Sequence, residues 1–251
     1  MTIALMYHDV TAPGHEDASG FAGPGAARYK LDHAEFDRHL ERLAKIGPEP
    51  CLLTFDDGGV SAATDIADRL ESRGWHGWFF ITTDRIDTPA FLSKSQLRDL
   101  HQRGHVIGSH SCSHPLRMSY CPPTQLFDEW SRSRRVLEDI LGAAVQTASV
   151  PGGFYSSQVG QAASLAGLTQ LFTSEPTTRS WMIDRCTVHG RFTVYRGMSA
   201  TDAAALVSSP LRRARQAGLW TAKKLAKQLG GTAYIHVRER LFRRAYAPAT
   251  P

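Results

Sequence analysis

Two short segments of the chain carry the residue types of a hydrolytic metal site. Asp56 and Asp57 are adjacent carboxylates that directly follow the largely apolar segment 51–55. His110 and His114 supply two imidazoles that are four residues apart. One carboxylate and two imidazoles form a donor set that suits zinc, and the second carboxylate would remain as a base. The combination therefore indicates metal-assisted hydrolysis.

Each segment taken alone has a simpler interpretation. Asp-Asp-Gly is a common turn sequence, because Asp and Gly both favour turns. An isolated pair of histidines is more often structural than functional, although a helical turn would place His110 and His114 on one face. Adjacent carboxylates repel each other unless a cation compensates their charge. Only the two segments together favour a metal site.

The hydrophobic pattern predicts strands and helices in alternation. Strands are predicted at 3–7, 52–55, 77–81, 105–109, 146–150, 167–173 and 191–194. Helices are predicted from Asp32 as N-cap and at 60–72, 95–103, 124–141, 158–166, 200–208 and 219–229. Alternation of this kind predicts a parallel sheet with helices outside, either a closed or distorted (β/α) barrel or an open doubly wound sheet. The Gly- and Pro-rich loop 11–28 is long enough to serve as a lid or a substrate wall.

The residues with chemical potential follow the predicted strands. His8, Asp56, His110 and the segment 151–153 each come directly after a strand of the predicted sheet. Active sites of α/β folds gather at the carboxyl ends of their strands. The positions therefore predict one shared site.

Three segments in order resemble the first three motifs of the polysaccharide deacetylases of carbohydrate esterase family 4. They are Thr-Phe-Asp-Asp-Gly at 54–58, His-Ser-Cys-Ser-His at 110–114 and Pro-Gly-Gly-Phe-Tyr at 151–155. The segment 6–10, Met-Tyr-His-Asp-Val, is similar to the opening strand of one branch of that family. The similarity extends over roughly residues 1–200, and three motifs in order are far more specific than one. The resemblance implies a distorted, seven-stranded, TIM-like (β/α) barrel that removes an N-acetyl group from an amino sugar.

The resemblance also implies roles for individual residues. Asp57, His110 and His114 would hold a divalent metal, most commonly zinc, with Co²⁺, Ni²⁺ or Mn²⁺ as alternatives. Asp56 would be the general base that activates the hydrolytic water. The substrate-binding residues would be Pro151, Gly152, Gly153, Phe154 and Tyr155. Of these, the two aromatic residues could stack on a sugar ring.

The sequence departs from the family pattern at two places. Ser149 stands where the third motif usually has an Arg that orients the base, so another group or solvent must hold Asp56. The late Leu-x-His motif that supplies the general acid is missing. His189 is the preferred candidate for that role and His8 is an alternative, while His236 lies in the basic tail.

Composition and charge suggest a catalytic domain at 1–210 and a basic helical extension at 211–251. The 251-residue chain is 42% apolar and 21% charged, as globular proteins are, and has a net charge of +5. Within 211–244, Glu239 is opposed by ten basic residues: Arg212, Arg213, Arg215, Lys223, Lys224, Lys227, Arg238, Arg240, Arg243 and Arg244. The extension is either a solvated helix face or a peripheral contact with anionic membrane. Nucleic acid is not expected as a partner, because the extension carries no signature of a nucleic-acid-binding fold.

The cysteines and the N-terminal segment suggest a location. The four cysteines are scattered without a Cys-x-x-Cys pair, which fits a reducing compartment. No signal peptide is recognisable, so a cytoplasmic protein is expected, with a peripheral location at the inner face of the membrane as an alternative. A lipid- or nucleotide-linked glycan precursor is then a more plausible N-acetylated substrate than a secreted polymer. Two other hypotheses are an amidase acting on a formyl or non-sugar amide, and a non-catalytic carbohydrate- or lipid-binding module.

Overall fold

A curled sheet surrounded by helices forms the framework of the molecule. The computed structural model describes residues 3–48 and 50–222. The strands are β1 (Ala4–Tyr7), β2 (Val10–Thr11), β3 (Leu31–Asp32), β4 (Leu52–Phe55), β5 (Trp78–Ile81), β6 (Val106–Ser109), β7 (Thr147–Ser149), β8 (Gln170–Phe172), β9 (Ser180–Ile183), β10 (Cys186–His189) and β11 (Phe192–Thr193). The alternation predicted from the sequence is confirmed.

Helices follow most of the parallel strands and cover the outside of the sheet. They are α1 (Pro24–Ala27), α2 (His33–Ala44), α3 (Ala67–Glu71), α4 (Lys94–Gln102), α5 (Pro123–Leu141), α6 (Ser157–Leu165) and α7 (Ala200–Ser208). Local chemistry marks their ends as predicted. The Asp32 side chain accepts from the Glu35 amide at the start of α2, and Gly142 ends α5 at a φ of 66° that suits glycine.

The strand order shows how the sheet closes. The main sheet runs β11-β1-β4-β5-β6-β7-β8-β10-β9, and every neighbouring pair is parallel except β10 and β9. Gly190 and Arg191 alone separate β10 from β11, so the chain runs on from a strand paired with β8 into one paired with β1. Counted as one bent strand, β10 and β11 complete seven parallel strands. The sheet is therefore a distorted barrel, and the predicted fold class is confirmed.

The interior of the barrel is filled mainly by aromatic side chains. Phe80 of β5 and Phe172 of β8 lie 5.4 Å apart between ring centroids, although two strands separate β5 from β8 in the sheet. This contact therefore crosses the interior. Ala4 belongs to the same buried cluster, with Trp78 packed against it. A second apolar layer lies between the sheet and the helices, where Phe36, Leu40 and Leu43 of α2 are buried as their spacing predicts.

Several local details differ from the sequence-based expectations. The helix predicted at 60–72 begins with a π-helical turn, Ala62–Ile66, before α3. The hairpin of β9 and β10 and the small sheet of β2 and β3 were not predicted. Strands this short carry too little hydrophobic periodicity to be recognised.

The predicted basic extension begins on a helix that is attached to the domain. Residues 210–222 are helical. Arg212 pairs with Asp202 at 3.0 Å, Arg213 donates to carbonyl groups at the end of α7, and Gln216 donates to the Thr193 carbonyl at 2.8 Å. The boundary at 210/211 stays a prediction, and the rest of the predicted helix 219–229, with His236, lies outside the described residues. Within the described ranges, no helix has the length and apolar character needed to cross a membrane.

Candidate active site

The carboxyl ends of the parallel strands bring the predicted residues to one edge of the barrel. His8 follows β1, Asp56 and Asp57 follow β4, and His110 follows β6. Residues 151–153 follow β7 as a single 3₁₀ turn. Since all these strands run in the same direction, the predicted convergence on one edge is confirmed.

Asp57, His110 and His114 form a cluster that fits a divalent metal ion. The Oδ1 atom of Asp57 lies 3.4 Å from Nε2 of His110 and 3.5 Å from Nε2 of His114. Ligand atoms of all three residues lie within 4.8 Å of one another. Ligands placed about 2.0–2.2 Å from one tetrahedral ion would be separated by similar distances. The donor types and their spacing therefore suit a zinc-like ion.

The protonation states in this cluster also suit a metal. Burial, together with the neighbouring His110, lowers the pKa of His114 to about 4, so its imidazole is neutral near pH 7. Burial acts to raise the pKa of Asp57, but the His110 hydrogen bond and the nearby imidazoles hold this pKa well below its usual range. Neutral imidazole and ionised carboxylate are the forms that bind metal.

The two histidines converge through a strained loop and not through a helical turn, so the helical geometry considered for them is wrong. Ser111 and His114 have φ values of 63° and 57°, in the left-handed region. Glu129 of α5, only 6% exposed, holds the loop: its Oε2 atom accepts from the backbone amides of Cys112 at 2.8 Å and Ser113 at 2.9 Å. A buried carboxylate that accepts two amide hydrogen bonds can fix such a backbone.

Asp56 and Asp57 point to different partners because the backbone turns between them. Asp57 has a φ of 78°, followed by Gly58 at 84°. Asp tolerates this region better than most residues, and glycine adopts it freely. The turn sends Asp57 toward the histidines and Asp56 toward the barrel interior.

Arg191 holds Asp56 and takes the place of the missing family Arg. Its Nη1 and Nη2 atoms donate to Oδ1 and Oδ2 of Asp56, both at 2.7 Å. Ser149 adds a hydroxyl hydrogen bond to Oδ1 at 3.0 Å. Burial acts to raise the pKa of the Asp56 carboxyl, but the Arg191 charge, with His110 and His8, keeps this pKa below its usual range. The candidate base is therefore ionised at neutral pH.

Arg191 is itself fixed by the bend that closes the barrel. Its Nε atom donates to the Thr173 carbonyl at 3.1 Å, and Nη1 donates to the Thr54 hydroxyl at 3.0 Å. The guanidinium lies 5.5 Å from the ring centroid of Phe80. The sequence contained one signal for this role of Arg191: a charged residue at the start of the apolar segment 191–194. A fully buried Arg almost always has a partner, so an Arg in such a position indicates a buried ion pair or hydrogen-bond network.

Ser149 links the candidate base, Asp56, to a candidate metal ligand. Nδ1 of His110 lies within hydrogen-bonding distance of both the carbonyl oxygen of Ser149, at 3.0 Å, and its hydroxyl. Donation from Nδ1 leaves Nε2 free to face Asp57 and a metal. The serine that departs from the family motif thus contacts both Asp56 and His110.

The two candidate acids occupy different places. His8 stacks on Tyr29 at 4.8 Å, and it is close enough to Asp56 and Asp57 to help lower the pKa of both carboxyls. Its Nδ1 atom is buried and has no hydrogen-bond partner among the described residues. His8 therefore lies at the carboxylate pair with a ring nitrogen unused.

His189 lies farther along the sheet. Its Nδ1 atom is 2.9 Å from the Ser180 hydroxyl, its ring stacks on Phe172 at 4.9 Å, and burial lowers its pKa. In the register, His189 pairs with Phe172, which pairs with Ser149. Two strand spacings, about 10 Å, therefore separate His189 from Ser149 across the sheet.

The segment 151–155 turns sharply at the mouth of the site. Gly152 and Gly153 have φ values of 60° and 70°. The Tyr155 hydroxyl accepts from Trp181 Nε1 at 3.2 Å, and the two rings pack edge to face. The contacts of Tyr155 are thus directed toward β9, and substrate binding by residues 151–155 stays a prediction.

The long loop 11–28 forms a wall beside the histidines. Lys30 is buried, and its Nζ atom donates to the carbonyl groups of Glu16, Ser19 and Phe21 at 2.5–2.7 Å. The Phe21 ring lies 4.8 Å from the ring of His114. One buried ammonium thus holds the loop in place and sets an aromatic ring against a candidate metal ligand.

Sequence comparisons connect this site with proteins described as deacetylases. The model of the family described as Polysaccharide deacetylase matches residues 45–171. "Putative polysaccharide deacetylase YheN" of Bacillus subtilis (strain 168) is 29% identical over 116 residues, which make up 46% of this chain and 40% of that protein. "Putative polysaccharide deacetylase YxkH" of the same organism is 28% identical over 162 residues, 64% of this chain and 57% of that protein. The chain thus spans about half the length of these curated relatives.

Structural comparisons agree on the fold. The Streptococcus pyogenes deacetylase PplD, solved in complex with acetate, has a TM-score of 0.66 at 18% identity, with 80% of this chain and 95% of that chain covered. IcaB from Ammonifex degensii has a TM-score of 0.63 at 18% identity, with 83% and 97% covered. At such low identity these similarities show the fold.

The buried ion pair of Arg191 and Asp56 predicts strong energetic coupling. Arg191→Met and Asp56→Asn should each lower the free energy of unfolding by about 3–5 kcal/mol, because each leaves one buried charge without its partner. The double variant should lose clearly less than the two single losses combined. Urea unfolding at pH 7 measures all three. Arg196→Met, which breaks the more exposed pair with Glu16, is the matched control and should cost about 1 kcal/mol or less. Additive losses in the double variant would contradict this coupling.

Proposed function

The chain belongs to the polysaccharide deacetylase family, and from that membership we propose that it hydrolyses the N-acetyl group of an amino sugar with the help of a divalent metal. The observation that carries the proposal is the arrangement at the ends of β4 and β6. There a carboxylate and two imidazoles form a metal-type cluster beside a second, ionised carboxylate that an arginine orients.

Asp57, His110 and His114 would hold the metal, with zinc as the expected ion. Bound there, a divalent ion would supply a Lewis acid that polarises an amide carbonyl and makes water a better nucleophile. Asp56 would accept the proton of the attacking water at its carboxylate, since Arg191 and Ser149 keep that group ionised and oriented. Phe21 would shield one side of the site from solvent, because it covers the His114 ring.

A protonated group must then deliver a proton to the leaving amine, and we assign this step to His8 ahead of His189. His8 lies beside both carboxylates and has an unused ring nitrogen, whereas the ring of His189 is bonded to Ser180. This assignment reverses the preference that the sequence suggested.

The expected substrate is an N-acetylated sugar in a lipid- or nucleotide-linked precursor, and the expected location is the cytoplasm. All four cysteines are free thiols, which supports a reducing compartment. Membrane contact would come from the basic extension.

Substitutions in the cluster should separate metal binding from catalysis. His114→Ala should lower both the metal content of the purified protein and acetate release from N-acetylglucosamine oligomers, because it removes a ligand. Asp56→Asn should retain the metal but release acetate about 10²–10⁴-fold more slowly, because the base is lost. Inductively coupled plasma mass spectrometry measures the metal, and proton NMR measures acetate. The exposed His15→Ala is the control. Undiminished acetate release by Asp56→Asn would reject the assigned base.

The general acid can be tested with paired histidine variants. His8→Ala should lower kcat about 10²–10⁴-fold with the metal content retained, and it should remove the alkaline limb of the pH–rate profile. His189→Ala should change kcat by about tenfold or less and keep that limb, because this ring lies two strands away. A larger effect of His189→Ala would transfer the role to that residue.

Charge reversal in the basic extension tests membrane contact. Lys223→Glu/Lys224→Glu/Lys227→Glu should weaken sedimentation of the full chain with phosphatidylglycerol-containing vesicles, since each basic residue near an anionic surface contributes about 1 kcal/mol. Arg212→Gln is the control, because that guanidinium already pairs with Asp202. Binding that is unchanged in the triple variant, or equal on neutral phosphatidylcholine vesicles, would overturn the contact.

A further inference from the structure

We propose that Arg85, held on the rings of Phe21 and Phe91, binds an anionic group of the substrate beside the metal cluster. This inference rests on the proposed deacetylase function and adds a substrate class to it. The ligand chemistry is a phosphoryl or carboxylate group carried on, or next to, the N-acetylated sugar.

The segment that carries Arg85 is joined by hydrogen bonds to both halves of the site. Two backbone amides at the end of β5 donate to the histidine loop: Thr83 to the Ser111 carbonyl at 3.1 Å, and Asp84 to the Cys112 carbonyl at 3.0 Å. At the other end of the segment, the Leu92 amide donates to the Gly58 carbonyl at 3.0 Å. Arg85 therefore extends from a segment that is bonded to the histidine loop and to the carboxylate turn.

Aromatic contacts set the position of the guanidinium. The Cζ atom of Arg85 lies 5.4 Å from the ring centroid of Phe21 and 5.9 Å from that of Phe91, and the two rings meet edge to face at 5.1 Å. The Phe21 ring also contacts His114, at 4.8 Å. One phenyl ring thus contacts both the guanidinium and a candidate metal ligand.

The guanidinium of Arg85 has no carboxylate partner among the described residues. The acidic side chains nearest in sequence are already paired: Asp84 with Arg132 at 3.2 Å, and Asp87 with Lys94 at 3.7 Å. Arg85 is exposed, so the N–H donors of its guanidinium are accessible to a ligand. A planar fork of donors matches the oxygens of phosphate or carboxylate, and the two ring contacts restrict the side chain before binding, which reduces the entropy lost on binding.

The anchoring of Phe21 pre-organises the contact between Phe21 and Arg85 for ligand binding. The Phe21 carbonyl accepts from the buried Lys30 ammonium, so the backbone that carries the ring is fixed. A substrate that places its acetamido group at the metal cluster would direct the neighbouring part of the same sugar, or the next sugar, along Phe21 toward Arg85. An anionic group there would complete the guanidinium's hydrogen bonds, whereas a neutral sugar would leave them to water.

Paired charged and neutral substrates test the subsite. N-acetylglucosamine 1-phosphate is compared with the methyl glycoside of N-acetylglucosamine, and a disaccharide of glucuronic acid and N-acetylglucosamine is compared with di-N-acetylchitobiose. The full-length, metal-loaded protein should favour at least one anionic member about tenfold in kcat/KM, mainly through KM, and added salt should reduce this preference. A phosphate preference identifies a phosphoryl group, and a glucuronate preference identifies a carboxylate.

Variants assign the preference to Arg85. Arg85→Gln should lose the preference and retain kcat on the neutral substrates, whereas Arg135→Gln, the same charge change on the exposed face of α5, should keep it. An equal loss on charged and neutral substrates in Arg85→Gln, or no preference in the unmodified protein, would overturn the proposal.

A binding measurement separates this proposal from the proposed function. Isothermal titration calorimetry with N-acetylglucosamine 1-phosphate needs no turnover. If no N-acyl substrate is hydrolysed but the probe binds Arg85→Gln about tenfold more weakly than the unmodified protein, the subsite stands and the deacetylase function fails. Equal probe binding by the two proteins overturns the subsite whether or not hydrolysis is observed.

Discussion

The contact between Arg191 and Asp56 joins the closure of the barrel to the chemistry of the site. The arginine comes from the bend between β10 and β11, and the carboxylate follows β4, so the pair forms when the last parallel strand lies beside the first ones. Two buried charges are costly to desolvate, and the cost is offset only where the geometry is bidentate and the remaining donors are bonded. Thr173 and Thr54 supply those remaining bonds. A correctly closed barrel is therefore also a barrel in which the Asp56 carboxylate is ionised and oriented.

Two loops at this edge of the barrel, the histidine loop 110–114 and the wall loop 11–28, are each held by a buried charged side chain that forms hydrogen bonds with several backbone atoms. Glu129 holds the histidine loop through two amides, and Lys30 holds the wall loop through three carbonyl groups. Each buried group forms hydrogen bonds with backbone N–H or C=O groups of an irregular loop, which have no partner in a strand or helix. The His114 and Phe21 rings are thereby brought together, which gives the site one aromatic wall. Loops fixed in this way can position ligands almost as rigidly as strands do.

Much of the fold and the centre of the site could be predicted from the sequence. Alternating apolar segments indicated the parallel sheet, and the short-range signals at Asp32 and Gly142 marked helix ends as the structure has them. One aspartate and two histidines were identified as a possible ligand set from their types and positions, and the resemblance to the family selected Asp57, His110 and His114. Arg191, Glu129 and Lys30 were missed as functional supports, since each acts on residues far away in the chain. The places of the two candidate acids, His8 beside the carboxylates and His189 two strands from Ser149, also depend on the way the strands pair.

Whether a feature could be predicted from the sequence depends on how far apart in the chain the interacting residues lie. Sequence by itself determined what depends on neighbours along the chain: strand and helix periodicity, caps, turns, and motifs whose members each end a strand. Tertiary structure alone decided what depends on closure: that a bend at Gly190 and Arg191 brings a guanidinium to Asp56, and that the serine at 149 contacts both the base and His110. In the sequence alone, the serine at 149 leaves Asp56 without the arginine that the family motif usually supplies. In three dimensions Asp56 is held by an arginine that lies 135 residues beyond it in the chain, because a charge acts through space and not along the backbone.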